Sequence, residues 1–222
     1  MKNYIFGYGS LIEKESRRRT TPNAEIAFPV RIFGFMRGWF GRTPVSGLST
    51  TFLGCIKTRI DPQNENQKNY VNGVIYEVSN DELLATDERE QGYKRIRVDF
   101  DNVLDFSGKV EGEFNIWIYI NHFSNDLTLD ENLPSKDFPI VQSYVDICIN
   151  GCLEIESLYP KAKESKFAVD FINTTHFWSK YWVNDRIYPR RPFIYRPNAY
   201  KIDQILKENL PDKNLFNQIY FE

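Results

Sequence analysis

Residues 140–155 constrain the fold more than any other stretch of the chain. Ile140, Tyr144, Ile147, Cys148, Gly151, Cys152 and Ile155 recur at the spacing of one α-helical face, and Val141, Val145, Ile149 and Leu153 fill the neighbouring stripe. Only Asp146, Asn150 and Glu154 interrupt this apolar surface. A helix that is apolar around most of its circumference has to be covered on most sides. The chain must therefore supply a sheet for it to lie against, and the segment reads as a central helix.

The preceding residues supply the strands. Tyr4-Ile5-Phe6 is a short apolar run that stops at Gly7-Tyr8-Gly9-Ser10, a loop signal. Residues 24–36, 49–60 and 70–78 read as further strands, separated by a polar loop over 61–69. Gly73 marks a bulge or a close backbone approach. Ser79 and Glu82 form a capping box that opens a short helix through Leu83, Leu84 and Glu90, with Gly92 as its expected stop. Ile96, Val98 and Phe100 alternate with Arg95, Arg97 and Asp99, the period of a half-buried strand. Residues 116–120 are apolar on both faces and predict a central strand.

Beyond the apolar helix the character changes. Phe167, Phe171 and Trp178 mark a helical face, residues 182–192 form an aromatic, basic, proline-punctuated loop, and residues 199–210 read as a terminal helix stopped by Pro211. The expected organisation is an α+β domain over residues 1–158 with a helical C-terminal extension, residues 159–222, packed on it.

Composition excludes several classes of function. Hydrophobic residues make up 41% and aromatic residues 15%, which builds a core and rules out disorder. The net charge of −2 gives no overall pull on phosphates, so nucleic acid is not an expected partner. The two histidines, His122 and His176, and the three cysteines, Cys55, Cys148 and Cys152, form no CxxC or HExxH pattern, so no metal or other cofactor is expected. Three thiols cannot all pair, which suits a reducing compartment. With no targeting signal and no run of ~18 apolar residues, the expected setting is cytoplasmic and away from membranes.

Two stretches carry chemistry. A strand running into Gly7-Tyr8-Gly9-Ser10-Leu11 exposes backbone N–H groups that can cradle a carboxylate or an oxyanion, and Ser10 adds a hydroxyl. A plain tight turn has the same look, and neither phosphate-loop pattern is present. The second stretch, residues 87–95, is rich in charge, as solvated helix ends are. Within it Glu90 falls in the last turn of the predicted helix, facing the negative end of the helix dipole. That placement disfavours the charged carboxylate and suits proton transfer.

Together these stretches resemble the γ-glutamylcyclotransferase-like superfamily, with its AIG-type and ChaC-type members. Tyr4–Leu11 is similar to the family's first strand and substrate loop. Asp87, Glu90, Tyr93 and Arg95 match its D-x-x-E-x-x-Y-x-R pattern, and residues 71–79 look like the strand that enters the helix. Residues 141–154 resemble a later helix in which a tyrosine, here Tyr144, precedes a glycine, here Gly151. The resemblance covers roughly residues 1–158.

It implies a small mixed β-barrel flanked by helices. It also implies an intramolecular reaction in which a substrate's α-amine attacks its own γ-glutamyl carbonyl, giving 5-oxoproline and a free amine or amino acid. Glu90 is then the catalytic acid and base. The substrate-binding residues are Tyr8, Gly9, Ser10 and Leu11, through their backbone N–H groups, and Tyr144 through its hydroxyl. The loop reads YGSL, as in the AIG-type and ChaC-type branches, while the Tyr144 helix is closer to the branch with YGSN, so the leaving group stays open. The expected partner is a small γ-glutamyl substrate, and the expected assembly is a monomer or homodimer.

Arg186, Arg190 and Arg191 lie outside the resemblance. They either reach a substrate carboxylate or a partner, or pair with acids such as Asp185 to hold the extension down. Arg37 and Arg42 are candidates for the pocket mouth, the four tryptophans read as packing anchors, and the histidines as surface residues. A binding module that uses the extension to dock a partner is the alternative reading.

Overall fold

The computed structural model describes residues 2–42, 49–58, 69–90, 92–110, 112, 114–121, 129–191 and 198–221. His122, Pro192 and the polar loop before Asn69 lie outside the described residues. The strands are β1 (Lys2–Gly7), β2 (Phe28–Phe33), β3 (Phe35–Gly41), β4 (Phe52–Lys57), β5 (Tyr70–Val78), β6 (Tyr93–Val98), β7 (Val103–Asp105), β8 (Phe114–Asn121), β9 (Ile140–Val141), β10 (Thr175–His176), β11 (Trp182–Asn184) and β12 (Tyr220–Phe221). The helices are α1 (Lys14–Thr20), α2 (Asn80–Arg89), α3 (Gln142–Leu158), α4 (Pro160–Glu164), α5 (Phe167–Asn173) and α6 (Ala199–Asn209).

The architecture is α+β, and its strands do not close into the barrel that the resemblance implies. The main sheet is open, in the order β6-β8-β1-β5-β2-β7. Two features keep it open. β7 has only three residues, and Gly34, at φ 82°, turns the chain out of β2 so that β3 pairs with β4 and β10 in a second sheet. β1 and β8 are both internal, as their apolar runs predict. β6 is an edge strand, and Phe100 lies beyond it in a 3₁₀ turn, 59% exposed. At Gly73 an added Cβ would run into the Gly7 carbonyl oxygen, so that glycine marks a close approach within regular register.

α2 begins with the expected capping box. Ser79 Oγ accepts from the Glu82 N–H at 3.1 Å, and the Ser79 N–H donates to Glu82 Oε2 at 2.8 Å. Its end differs from the sequence expectation. The helix closes on Glu90 as C-cap (φ −93°, ψ 38°), before Gly92, which does not take a positive φ.

α3 is the central helix, buried from Gln142 to Leu153. Ile140 and Val141 leave the helical pattern to form β9, which pairs with β11. Asp146 and Asn150 are buried as well, because the extension covers them with matching groups. Arg186 takes Asp146, and Asn198 Nδ2 donates to Asn150 Oδ1 at 2.8 Å. α3 has no capping side chain of its own at Val141. Asp185, 1% exposed, supplies one from the extension, with Oδ1 accepting from the Ser143 N–H at 2.7 Å. Of the expected aromatic face, Phe167 and Phe171 lie on α5, while Trp178 lies past its end, stacked on Trp182 at 5.1 Å between centroids. Among the described residues, no helix is long and apolar enough to cross a membrane.

Candidate functional site

β1 and β8 run parallel with Ile5 opposite Trp117, and β6 meets β8 with Tyr93 opposite Asn121. These registers bring the residues after β1, the start of β6 and Tyr119–Asn121 to one end of the sheet. The chain leaving β1 forms a 3₁₀ turn over Ser10–Ile12, closed by the Ile12 N–H donating to the Gly9 carbonyl oxygen at 3.0 Å. Three contacts fix this turn.

The first is α3. Tyr144 and Gly151 lie two helical turns apart, on the same face. A Cβ added at Gly151 would collide with the Glu13 amide nitrogen and lie 2.7 Å from the Ile12 carbonyl carbon, so helix and turn touch backbone to backbone. A Cβ added at Gly9 would meet Tyr144 Oη at 2.8 Å. The second contact is Arg17, 3% exposed, whose guanidinium donates to the carbonyl oxygens of Leu11, Ile12, Ala24 and Glu25. The third is Arg37.

Arg37 was expected at the pocket mouth, yet it is fully buried. It alternates with Phe35 and Trp39 on the inward side of β3, a placement its charge disguises. Its guanidinium makes six hydrogen bonds: to Tyr8 O, Asn72 O, Asn72 Oδ1, Phe171 O, Thr174 Oγ1 and Thr175 Oγ1, at 2.7–3.1 Å. Burial lowers it to about 10, so it stays a cation at neutral pH. Arg42 donates to the Leu133 carbonyl oxygen and lies over the Phe138 ring.

Of the matched residues on α2 and β6, Asp87 and Arg95 act as tethers. Asp87 Oδ1 accepts from the Tyr119 hydroxyl at 2.8 Å, Oδ2 pairs with Arg95 Nη1 at 3.1 Å, and the Arg95 guanidinium lies over the Trp117 ring. These contacts hold the last turn of α2 onto β6 and β8. Tyr119 works at both ends of this link, because its backbone oxygen accepts from Tyr8 Oη at 3.0 Å. Tyr119 was read from sequence only as part of a buried strand, although a tyrosine there signals a polar tip in need of a partner.

Glu90 follows directly, half-buried at the C-cap. Its charge bears on both Tyr8 and Tyr93. Burial first, then neighbouring groups including Glu90, push Tyr8 well above the usual phenol range and Tyr93 to about 12. Burial does the same to Tyr144, with the Ser10 backbone N–H acting in the opposite direction. All three phenols therefore stay protonated at neutral pH and act as hydrogen-bond donors. Tyr144 is buried, with its ring edge-on to those of Trp39 and Phe52. Cys55 and Cys148 are buried, and burial raises both thiols to about 12, leaving them unreactive core groups.

The expected pairing with acids is met by Arg186, through partners other than Asp185. Asp185 accepts backbone N–H groups, including that of Arg190 at 2.7 Å. Arg186 instead bridges Asp146 and Asp203, and Arg190 Nη1 donates to the Ser49 carbonyl oxygen. Arg191 lies beside Tyr144.

The fold and this arrangement define an α+β protein in which a glycine turn, a group of neutral phenols and a helix-end carboxylate meet at one end of an open sheet. No family model matches the sequence, and no curated protein matches it. Among solved structures, the chain is similar to a γ-glutamyl cyclotransferase, with a TM-score of 0.49 and 16% identity over 94% of this chain and 99% of that one. It is similar to an uncharacterised protein from Homo sapiens, with a TM-score of 0.45 and 14% identity over 93% and 98% of the two chains. It is also similar to a glutathione-specific γ-glutamyl cyclotransferase from yeast, with a TM-score of 0.41 and 14% identity over 70% and 86%.

Proposed function

We propose that the protein is a γ-glutamyl cyclotransferase. The observation that carries this reading is the link through Tyr119, which ties the α2 turn bearing Glu90 and the Tyr8 side of the glycine turn to one residue. In the proposed reaction the turn from Tyr8 to Leu11 and the Tyr144 hydroxyl hold the glutamyl unit folded back on itself, a proximity effect. Glu90 takes a proton from the α-ammonium. The freed amine attacks the γ-carbonyl carbon, a new C–N bond closes the five-membered ring, and hydrogen bonds from the turn stabilise the oxyanion. The bond to the leaving nitrogen then breaks as Glu90 returns the proton to it, and the second proton on the ring nitrogen passes through Glu90 to the released amine, which departs as an ammonium. The products are 5-oxoproline and a free amine or amino acid. No nucleophilic side chain takes part, which agrees with unreactive thiols in the core.

The test is incubation with glutathione, γ-glutamyl amino acids and γ-glutamyl amines, with 5-oxoproline detected by mass spectrometry. Glu90→Gln, nearly equal in size, is expected to lower turnover by about 10²- to 10⁴-fold, the usual worth of a general acid-base group. A folded protein that turns over none of the panel, or an equally active Glu90→Gln variant, overturns the reading.

A further inference from the structure

The extension's arginines differ in what their guanidinium groups hold. Arg186 is saturated by two carboxylates, with four hydrogen bonds of 2.7–2.9 Å to Asp146 and Asp203. Arg190 Nη1 is used by the Ser49 carbonyl oxygen at 2.7 Å. Arg191 is held by its backbone. Its N–H donates to Ser143 Oγ at 3.1 Å, and the Ser143 hydroxyl donates to Asp185 Oδ2 at 2.6 Å. The Arg191 main chain is thus pinned to the start of α3, at the residue next to Tyr144.

Its guanidinium carbon lies 5.6 Å from the Phe52 ring centroid and 6.0 Å from that of Tyr144. Both rings are buried, 6% exposed, and Arg191 itself is half-buried. Among the described residues, no acidic side chain forms an ion pair with it, in contrast to Arg186. A half-buried cation against two apolar rings interacts more strongly with an incoming anion than a solvated one does. The guanidinium fork matches a carboxylate in two parallel hydrogen bonds. The Tyr144 hydroxyl faces Gly9 and Ser10. The charge of Arg191 bears on Tyr144, while that of Glu90 bears on Tyr8 and Tyr93.

We propose that Arg191 is a substrate-binding residue that anchors a carboxylate of the γ-glutamyl compound beside Tyr144. This rests on the cyclotransferase reading for its substrate class. Two carboxylates fit the chemistry: the α-carboxylate of the glutamyl unit, and that of a leaving amino acid. The extension would then complete the site, and substrates without the anchored carboxylate would be discriminated against.

Binding is measured by calorimetry in the Glu90→Gln background, where turnover is slowed about 10²- to 10⁴-fold. The ligands are a γ-glutamyl amino acid and the γ-glutamyl amine that differs from it only by loss of the leaving-group carboxylate. Adding Arg191→Gln is expected to weaken binding by about 10- to 100-fold, the worth of a charge-assisted pair. Loss for the amino acid alone assigns the leaving-group carboxylate, and equal loss for both assigns the glutamyl one. Arg191→Lys, which keeps the charge without the fork, is expected to recover part of the loss, with an unchanged melting temperature. Should the Gln variant not fold, Arg191→Lys against Arg191 carries the same comparison. Unchanged affinity for both ligands, or no binding of either to the Glu90→Gln protein, overturns the proposal. Arg191-dependent binding in a protein whose native form makes no 5-oxoproline would instead sink the cyclotransferase reading and leave the anchor standing.

Discussion

At the residue scale, Tyr93 reports on the site. Its hydroxyl is buried and lies within reach of the Glu90 charge, and its ionisation moves up to about 12. The folded protein therefore holds this proton across a range where the unfolded chain, at about 10, has released it. The stabilisation is complete below pH 10 and is lost as pH rises toward 12, on the order of 2 kcal/mol for this group. Tyr70, also raised to about 12 by burial and then by its hydrogen bond to Asp170, acts in the same direction. The expected outcome is a melting temperature that falls between pH 10 and 12, less steeply in Tyr93→Phe. Titration of tyrosinate absorbance checks the origin. In Glu90→Gln the Tyr93 transition moves down toward 10, and an unmoved transition would mean that Glu90 does not face it.

At the element scale, the packing of α3 on the glycine turn makes a prediction against helix propensity. Alanine is favoured over glycine inside a helix by about 1 kcal/mol. Gly151→Ala should nevertheless destabilise by about 1–3 kcal/mol, because its Cβ meets the backbone of Ile12 and Glu13, which has no rotamer to give. A urea midpoint that rises would refute the close contact.

Elements were legible where their signals are local. The capping box of α2 involves residues three apart, and the apolar period of α3 is contained in the helix itself. The ends of elements and the polar partners were less so. Glu90 ends α2 ahead of the glycine that looked like the stop. Asp146 and Asn150 interrupt the apolar surface of α3 without showing what covers them, because Arg186 and Asn198 arrive more than one helix later. The candidate site divides in the same way. Tyr8–Leu11, Glu90 and Tyr144 carry sequence patterns. Arg37 and Tyr119 carry none, since their partners are 29 to 138 and 32 to 111 positions away.

At the scale of the molecule, the extension is woven into the body of the protein. β10 adds to β3, β11 adds to β9, and Asp185 caps α3. A chain ending at Leu158 would leave the apolar surface of α3 and the partner side of β9 uncovered, and would remove the Arg186 and Asp185 groups that pair with α3. Such a truncation is expected to give insoluble protein or a chain with no cooperative melting transition. A soluble fragment with a sharp transition would show that residues 1–158 fold unaided.

Arg37 gives this interdependence a direction in time. Three of its six acceptors, on Phe171, Thr174 and Thr175, are made 134 to 138 residues after Arg37 itself. Until they emerge, the nascent chain holds a guanidinium beneath the glycine turn with half of its acceptors missing. The Tyr8 carbonyl that the same group fixes is then supported from one side only. The scaffold beneath the glycine turn is thus complete only once Thr175 has emerged, and a ribosome that stalls before it releases a chain with Tyr8–Leu11, Glu90 and Tyr144 made but without the groups that set the turn.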